Sequence, residues 1–290
     1  MKIYVKDVPN DTTVWKHIIN NSNTSEAWQD VSQSSDMPDI FRLQHKWDCN
    51  EISKDIDYAK KLYGDYGWAY EGQEGNNNSP YTGFSLVYNP NHIDNLPEHR
   101  GTFGSPNIKD GQFTTHNYTP IQTKNSYWDS HGMVKRTKAS NYKSIGKLLD
   151  NSKRTLMKSR VATCHGIADT MLEQNRNFHT DAPNHFAIRI NIPIETSNTY
   201  FFRMENRKDP IFLDTGWSYT FNNAIPHKVF TARFSSKPRT HLVLAYSPWW
   251  DYDANDDSWT TNEFFGKKHP MQMVIDGDVL SGLSNLDVDI

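Results

Sequence analysis

The amino-acid sequence predicts a mainly β protein with flanking helices, its core an antiparallel sandwich or jelly-roll barrel. Three observations carry that expectation. Six short runs rich in β-branched and aromatic residues lie between Phe186 and Tyr246, and such runs suit a pleated, half-buried surface. Turn-forming residues split them at short intervals, as in antiparallel all-β folds. An apolar helical pattern precedes them, fit to buttress a sheet.

Taken in chain order, residues 1–143 are expected to be an irregular N-terminal region packed on the core and shaping substrate access. Pro and Gly cluster in SDMPD, GQEGNNNSPYTG and YNPNHIDNLPEHRGTFGSPN, which argues against long regular elements there. A helix is expected around Ile52–Leu62. Residues 144–290 hold helices and then the barrel, the whole forming one integrated domain. Within 144–175, Met157, Val161, Cys164, Ala168 and Met171 recur at four- and three-residue steps, the mark of one apolar helix face. Ile145, Leu148 and Leu149 suggest a turn or helix before it. The strands are then read as FAIRINIPI, TYFFRME, PIFLDTG, SYTFN, HKVFTARF and RTHLVLAY. After Trp250 the acidic DYDANDDSWTTN reads as loop, and GKKHPMQMVIDGDVL adds one strand or helix.

Composition excludes some functions. With 290 residues and a net charge of -3, the chain can bury a full core, and its charge balance gives no support for a nucleic-acid footprint, which usually shows as a strongly basic face. No apolar run approaches the roughly 18 residues of a membrane span, and the first residues lack a signal-peptide pattern. A soluble cytoplasmic protein is expected. Its 27 Asn residues would suit an AT-rich genome such as many bacteriophages carry. Cys49 and Cys164 are too few for a disulfide framework and are expected to be reduced thiols.

The chemistry gathers at three places. In extended backbone, residues two apart project to one side, so His179 and Asp181 in Phe178-His179-Thr180-Asp181 can offer one imidazole nitrogen and one carboxylate oxygen to a single ion. His227, at the start of a later strand, offers a second imidazole. Two His and one carboxylate on one face of a metal are the ligand set of non-haem Fe(II) oxygenases, the opposite face staying open. Arg239 supplies the planar fork of donors that suits the far carboxylate of a keto-acid. With FSSKP as a turn, His227 and Arg239 would lie on adjacent antiparallel strands. With 12 His and 34 acidic residues an isolated HxD is weak, and the spacing of all four residues is what sharpens the pattern.

Those residues, in FHTDAPNHFAIRINIPI, YTFNNAIPHKVF and KPRTHLVLAY, resemble the aspartyl/asparaginyl β-hydroxylase family, to which cis-proline 3-hydroxylase is also similar. The likeness spans about Asn177–Trp249, a quarter of the chain. It implies a double-stranded β-helix (jelly-roll, cupin-like) core, with Fe(II) as cofactor and 2-oxoglutarate and O2 as co-substrates. Hydroxylation of an amino acid or peptide side chain would accompany conversion of 2-oxoglutarate to succinate and CO2. By the same resemblance, His179 and His227 match the metal imidazoles and Arg239 the Arg that grips the distal carboxylate. Arg189 lies, after one extra residue, where the family has an Arg near the co-substrate. Asn191 stands where the peptide β-hydroxylase has a His. The vertebrate-type peptide enzyme has Gly at the position of Asp181, so a full three-ligand site departs from it and weakens any transfer of its substrate.

The competing expectation is a non-catalytic jelly-roll binding module, carbohydrate- or virion-associated, for which the four-residue constellation would have no use. Outside that constellation, His165 and His241 read as packing or structural residues. His185 has a lesser claim to touch substrate, and Trp217, Tyr219, Trp249 and Trp250 are as fit for the core as for a pocket wall.

Overall fold

The computed structural model of the chain describes residues 1–32, 37–63, 66–67, 81–88, 107–109, 112–114, 131, 134–164, 178–231, 237–282 and 286–289. Ten strands build the two sheets of the core: β1 (Ile40–Lys46), β2 (Tyr66–Gly67), β3 (Tyr81–Ser85), β4 (Arg160–Cys164), β5 (Ile188–Glu195), β6 (Tyr200–Met204), β7 (Trp217–Phe221), β8 (His227–Thr231), β9 (Arg239–Tyr246) and β10 (Leu286–Asp289). The major sheet is antiparallel, in the order β10-β1-β7-β5-β9-β4-β3-β2. The minor sheet pairs β6 with β8, and single bridges extend it with His179 beside His227 and Ile211 beside Phe202. From β4 onward the chain passes repeatedly between the two sheets. That winding is a double-stranded β-helix.

Period-two patterning divides the major sheet into two unlike faces. Val161 of β4, Ile188, Ile190, Ile192 and Ile194 of β5, and Leu242, Leu244 and Tyr246 of β9 are buried in the main hydrophobic core. Helices α1 (Val14–Ser22), α3 (Cys49–Tyr63) and α4 (Lys143–Asp150), with α2 (Thr24–Ser32) following α1, cover that face through Val14, Ile18, Ile52, Ile56, Ala59, Ile145, Leu148 and Leu149. Burying each of the Val, Ile and Leu side chains is worth about 1.5–3 kcal/mol. Capping fixes where these helices start. Asp48 accepts from the backbone N–H groups of Asn50 and Glu51, and Asp55 of α3 accepts from those of Ser144 and Ile145 at the start of α4, satisfying donors that a helix leaves unpaired. The alternate residues, including Arg189, Asn191, Tyr219, His241 and Val243, face the minor sheet. There a smaller cluster of Ile40, Phe202, Met204, Ile211, Tyr219 and Phe221 closes one end.

Several expectations are corrected. The helix predicted through Met157, Val161 and Cys164 is strand β4, while Ala168 and Met171, like His165, lie outside the described residues. The 157-to-161 step fits either period, and the β-branched Val161 and Thr163 together with a place beside β9 decide for the strand. Of the six predicted strands, PIFLDTG makes only the Ile211 bridge. Its Gly216 sits at φ 87 in a turn whose Cβ would lie 3.0 Å from the Trp47 carbonyl, so the run bends where a strand would continue. The acidic tail forms a hairpin, Trp250–Asp253 with Ser258–Thr261, and Lys2–Tyr4 adds a third strand. Downstream, the final segment supplies helix α5 (Pro270–Ile275), one of the two forms expected. The Ile52–Leu62 helix is α3. In the first half β1 and β3 join the major sheet directly, and most of the Pro- and Gly-rich tracts lie outside the described residues. No helix among the described residues is long and apolar enough to cross a membrane.

Candidate metal centre and anion pocket

The segment that carries His179 and Asp181 runs antiparallel to the turn leading into β8. His179 and His227 exchange both backbone hydrogen bonds, at 3.1 and 2.9 Å, and the Asp181 N–H donates to the Asn223 carbonyl at 3.0 Å. This short ladder sets the two imidazoles side by side, ring centroids 4.8 Å apart. It turns the Asp181 carboxylate to the same side, as its two-residue spacing requires. One ligand atom from each of His179, Asp181 and His227 lies within 4.8 Å of the others, a group that could hold a metal ion.

Surrounding groups orient these side chains. The His227 Nδ1–H donates to the Ile225 carbonyl at 2.8 Å, which turns Nε2 toward the Asp181 Oδ2, 3.3 Å away. Arg189 donates to the same Asp181 oxygen. Burial alone would raise the Asp181 pKa, but Arg189 and His227 outweigh it and hold the carboxyl well below the usual range. Behind the triad, the Asn223 N–H donates to the Asn184 side-chain oxygen and the Asn223 amide to the Ala187 carbonyl. The Asn184 amide donates to the Phe221 carbonyl. These bonds lock the DAPN and NNAIPH turns together. His227 is buried and His179 exposed, so the centre opens to solvent at the His179 edge.

Across the barrel, β9 carries Arg239. The expectation that His227 and Arg239 share neighbouring strands is wrong. β8 pairs with β6 and β9 with β5 and β4, so the two residues lie on different sheets. Both edges of β9 are already occupied, which leaves no edge for β8. Arg239 is half-buried, and burial pulls its pKa down to about 10 against the opposing influence of Cys164 and Tyr200. Its Nη2 donates to His241 Nδ1 at 2.9 Å. Among the described residues no carboxylate pairs with it. Asn191 is buried on the adjacent strand, opposite Val243, and its amide nitrogen has no partner among the described residues.

His241, read from the sequence as structural, shares the inner face and contacts Arg239. Its signal was its parity with Arg239, two residues away on one strand. His185 stacks on Trp28 with centroids 4.8 Å apart. Trp249 and Trp250 are buried in the main core, Trp217 lies under the Arg42 guanidinium, and the Tyr219 hydroxyl accepts from the Asp214 N–H.

No protein-family model matches the chain, and no curated protein does. Among solved structures it is similar to a prolyl hydroxylase in complex with a hypoxia inducible factor oxygen degradation domain peptide fragment from Trichoplax adhaerens. That likeness has 10% identity and a TM-score of 0.36, over 79% of this chain and 92% of the other. It is also similar to the non-heme alpha ketoglutarate dependent epimerase SnoN from nogalamycin biosynthesis, at 10% identity and a TM-score of 0.35, over 77% of this chain and 81% of the other. At such scores, function has to be argued from the chain's own residues.

Proposed function

We propose that the chain is an Fe(II)- and 2-oxoglutarate-dependent dioxygenase that hydroxylates an amino acid or peptide side chain. The observation that carries this reading is a two-His, one-carboxylate cluster on one sheet of the barrel, with a half-buried arginine on the other that has no carboxylate partner among the described residues. The donor set fits the ion. Neutral imidazole nitrogens and one carboxylate oxygen are the ligands of non-haem Fe(II), whereas a closed structural zinc site takes four ligands, commonly with thiolates. Bound there, Fe(II) would supply the O2 chemistry that converts 2-oxoglutarate to succinate and CO2 while one oxygen atom enters a substrate C–H bond.

The protein's part is binding and orientation. His179, Asp181 and His227 hold the ion. Ile225, through the His227 Nδ1–H, keeps Nε2 free to ligate. Arg189 aims the Asp181 carboxylate by donating to it, and Arg239 would take the distal carboxylate of 2-oxoglutarate. Asn191 adds a donor from the next strand. Barrel walls shield the interior from bulk water, and the exposed His179 edge is the side from which a substrate would approach.

The test is uncoupled turnover of the purified chain with Fe(II), 2-oxoglutarate and O2, read as succinate. Iron-dependent succinate formation is expected before any prime substrate is known. A wild-type chain that shows no 2-oxoglutarate binding and forms no succinate with Fe(II) present would overturn the proposal and leave a non-catalytic binding module.

A further inference from the structure

His241 carries more than its place in the strand requires. Arginine has no acceptor atom, so the 2.9 Å contact from Arg239 Nη2 to His241 Nδ1 makes Nδ1 the unprotonated nitrogen. The ring is neutral, since burial and the Arg239 charge push its pKa well below that of an ordinary histidine. Its proton therefore sits on Nε2. That N–H is sealed from solvent, His241 being 1% exposed, and has no hydrogen-bond partner among the described residues. Burying a donor without an acceptor is costly. The Asn191 amide nitrogen, 8% exposed and likewise without a partner, lies on the adjacent strand, where Asn191 is opposite Val243 and His241 opposite Pro193. Leu242 and Leu244 point to the helix-covered core, so Arg239, His241 and Val243 share the inner face with Asn191. Three groups there donate and none has a carboxylate to meet. A ligand with acceptors along its length would satisfy them.

We propose that His241 is a co-substrate-binding residue, its Nδ1 holding Arg239 in place and its Nε2–H donating to the same acceptor-rich ligand. This rests on the reading of the site as one for 2-oxoglutarate. The test uses the full chain loaded with Mn(II), with 2-oxoglutarate affinity measured by calorimetry in wild type, His241→Leu and His241→Gln. Leu removes both contacts at similar volume, and Gln keeps an acceptor and a donor. Mn(II) stoichiometry should be unchanged in both variants, which checks that they fold. Affinity for 2-oxoglutarate should fall about tenfold or more in His241→Leu, one lost hydrogen bond to a charged group, and recover most of that loss in His241→Gln.

Nitrogen-15 spectra of the wild-type histidines, with Zn(II) as the diamagnetic metal, give a readout independent of the variants. The His241 ring should show a protonated Nε2 whose resonance moves when 2-oxoglutarate is added. Unchanged affinity in His241→Leu, equal loss in Leu and Gln variants, or an unmoved resonance would overturn the assignment while leaving the oxygenase reading intact. Wild type that binds no 2-oxoglutarate would overturn both.

Discussion

Replacing Arg239 by Lys separates the anion pocket from the metal centre. The guanidinium at this position lies inside the barrel, has one Nη2 contact to His241 at 2.9 Å, and has no carboxylate partner among the described residues. A bound carboxylate would take a two-point grip from the remaining donors, and an ammonium offers a point charge without the fork. Losing one charged hydrogen bond costs about 1.5–3 kcal/mol, which converts to a roughly ten- to hundredfold weaker interaction. The KM for 2-oxoglutarate should rise by that factor, measured as succinate release over a range of 2-oxoglutarate concentrations with Fe(II) saturating. Metal content should stay at the wild-type level, because Arg239 is not a ligand. A KM within twofold of wild type would refute the assignment, as would a loss of metal in parallel with the loss of 2-oxoglutarate binding.

Two further outcomes concern the fold. Leu244→Ala opens a hole between β9 and the covering helices, where Leu244 is 0% exposed, and should destabilise the protein by about 3 kcal/mol in urea denaturation; a loss under 1 kcal/mol would show that face to be loosely packed. His185 has its pKa pushed down to about 4 by burial, and neither ring nitrogen has a partner among the described residues. Because the unfolded chain takes up this proton near 6.5 and the folded chain only near 4, its contribution is intact above 6.5. It is lost as pH falls toward 4, at up to about 1.4 kcal/mol per pH unit. His185→Phe, which keeps a ring against Trp28, should flatten that part of the stability-versus-pH curve, and an unaltered curve would rule His185 out as a cause.

What could be read in the sequence was whatever depends on local parity. RTHLVLAY is β9 residue for residue, because a strand buried on one face by helices and lined on the other by a pocket shows both periods. His179 and Asp181 share a side for the same reason. The partner of each strand was less legible. His227 and Arg239, 12 residues apart, suggested a hairpin, whereas the jelly-roll winding sends β8 and β9 to opposite sheets, a long-range choice that no local pattern records. The reading of residues 157–164 as helix failed because a four-residue step fits both periods. The acidic tail concealed a hairpin because Trp250 and Trp259, the residues that bury it, are scattered among polar neighbours. His241 was passed over although it stands two residues from Arg239; its role follows from a hydrogen bond and from a buried N–H, and neither can be seen in a residue string.

The most direct test of the account is metal binding by the triad. Wild type dialysed against Mn(II) should hold one ion per chain, and His227→Ala, which removes the buried member of the triad, should hold none at that site while staying folded. Adding 2-oxoglutarate anaerobically to the Fe(II) form should produce the visible absorption of an Fe(II)–keto-acid chelate in wild type, and none in His227→Ala. Full metal content in folded His227→Ala, or a wild-type Fe(II) form that stays colourless on addition of 2-oxoglutarate, would contradict the account.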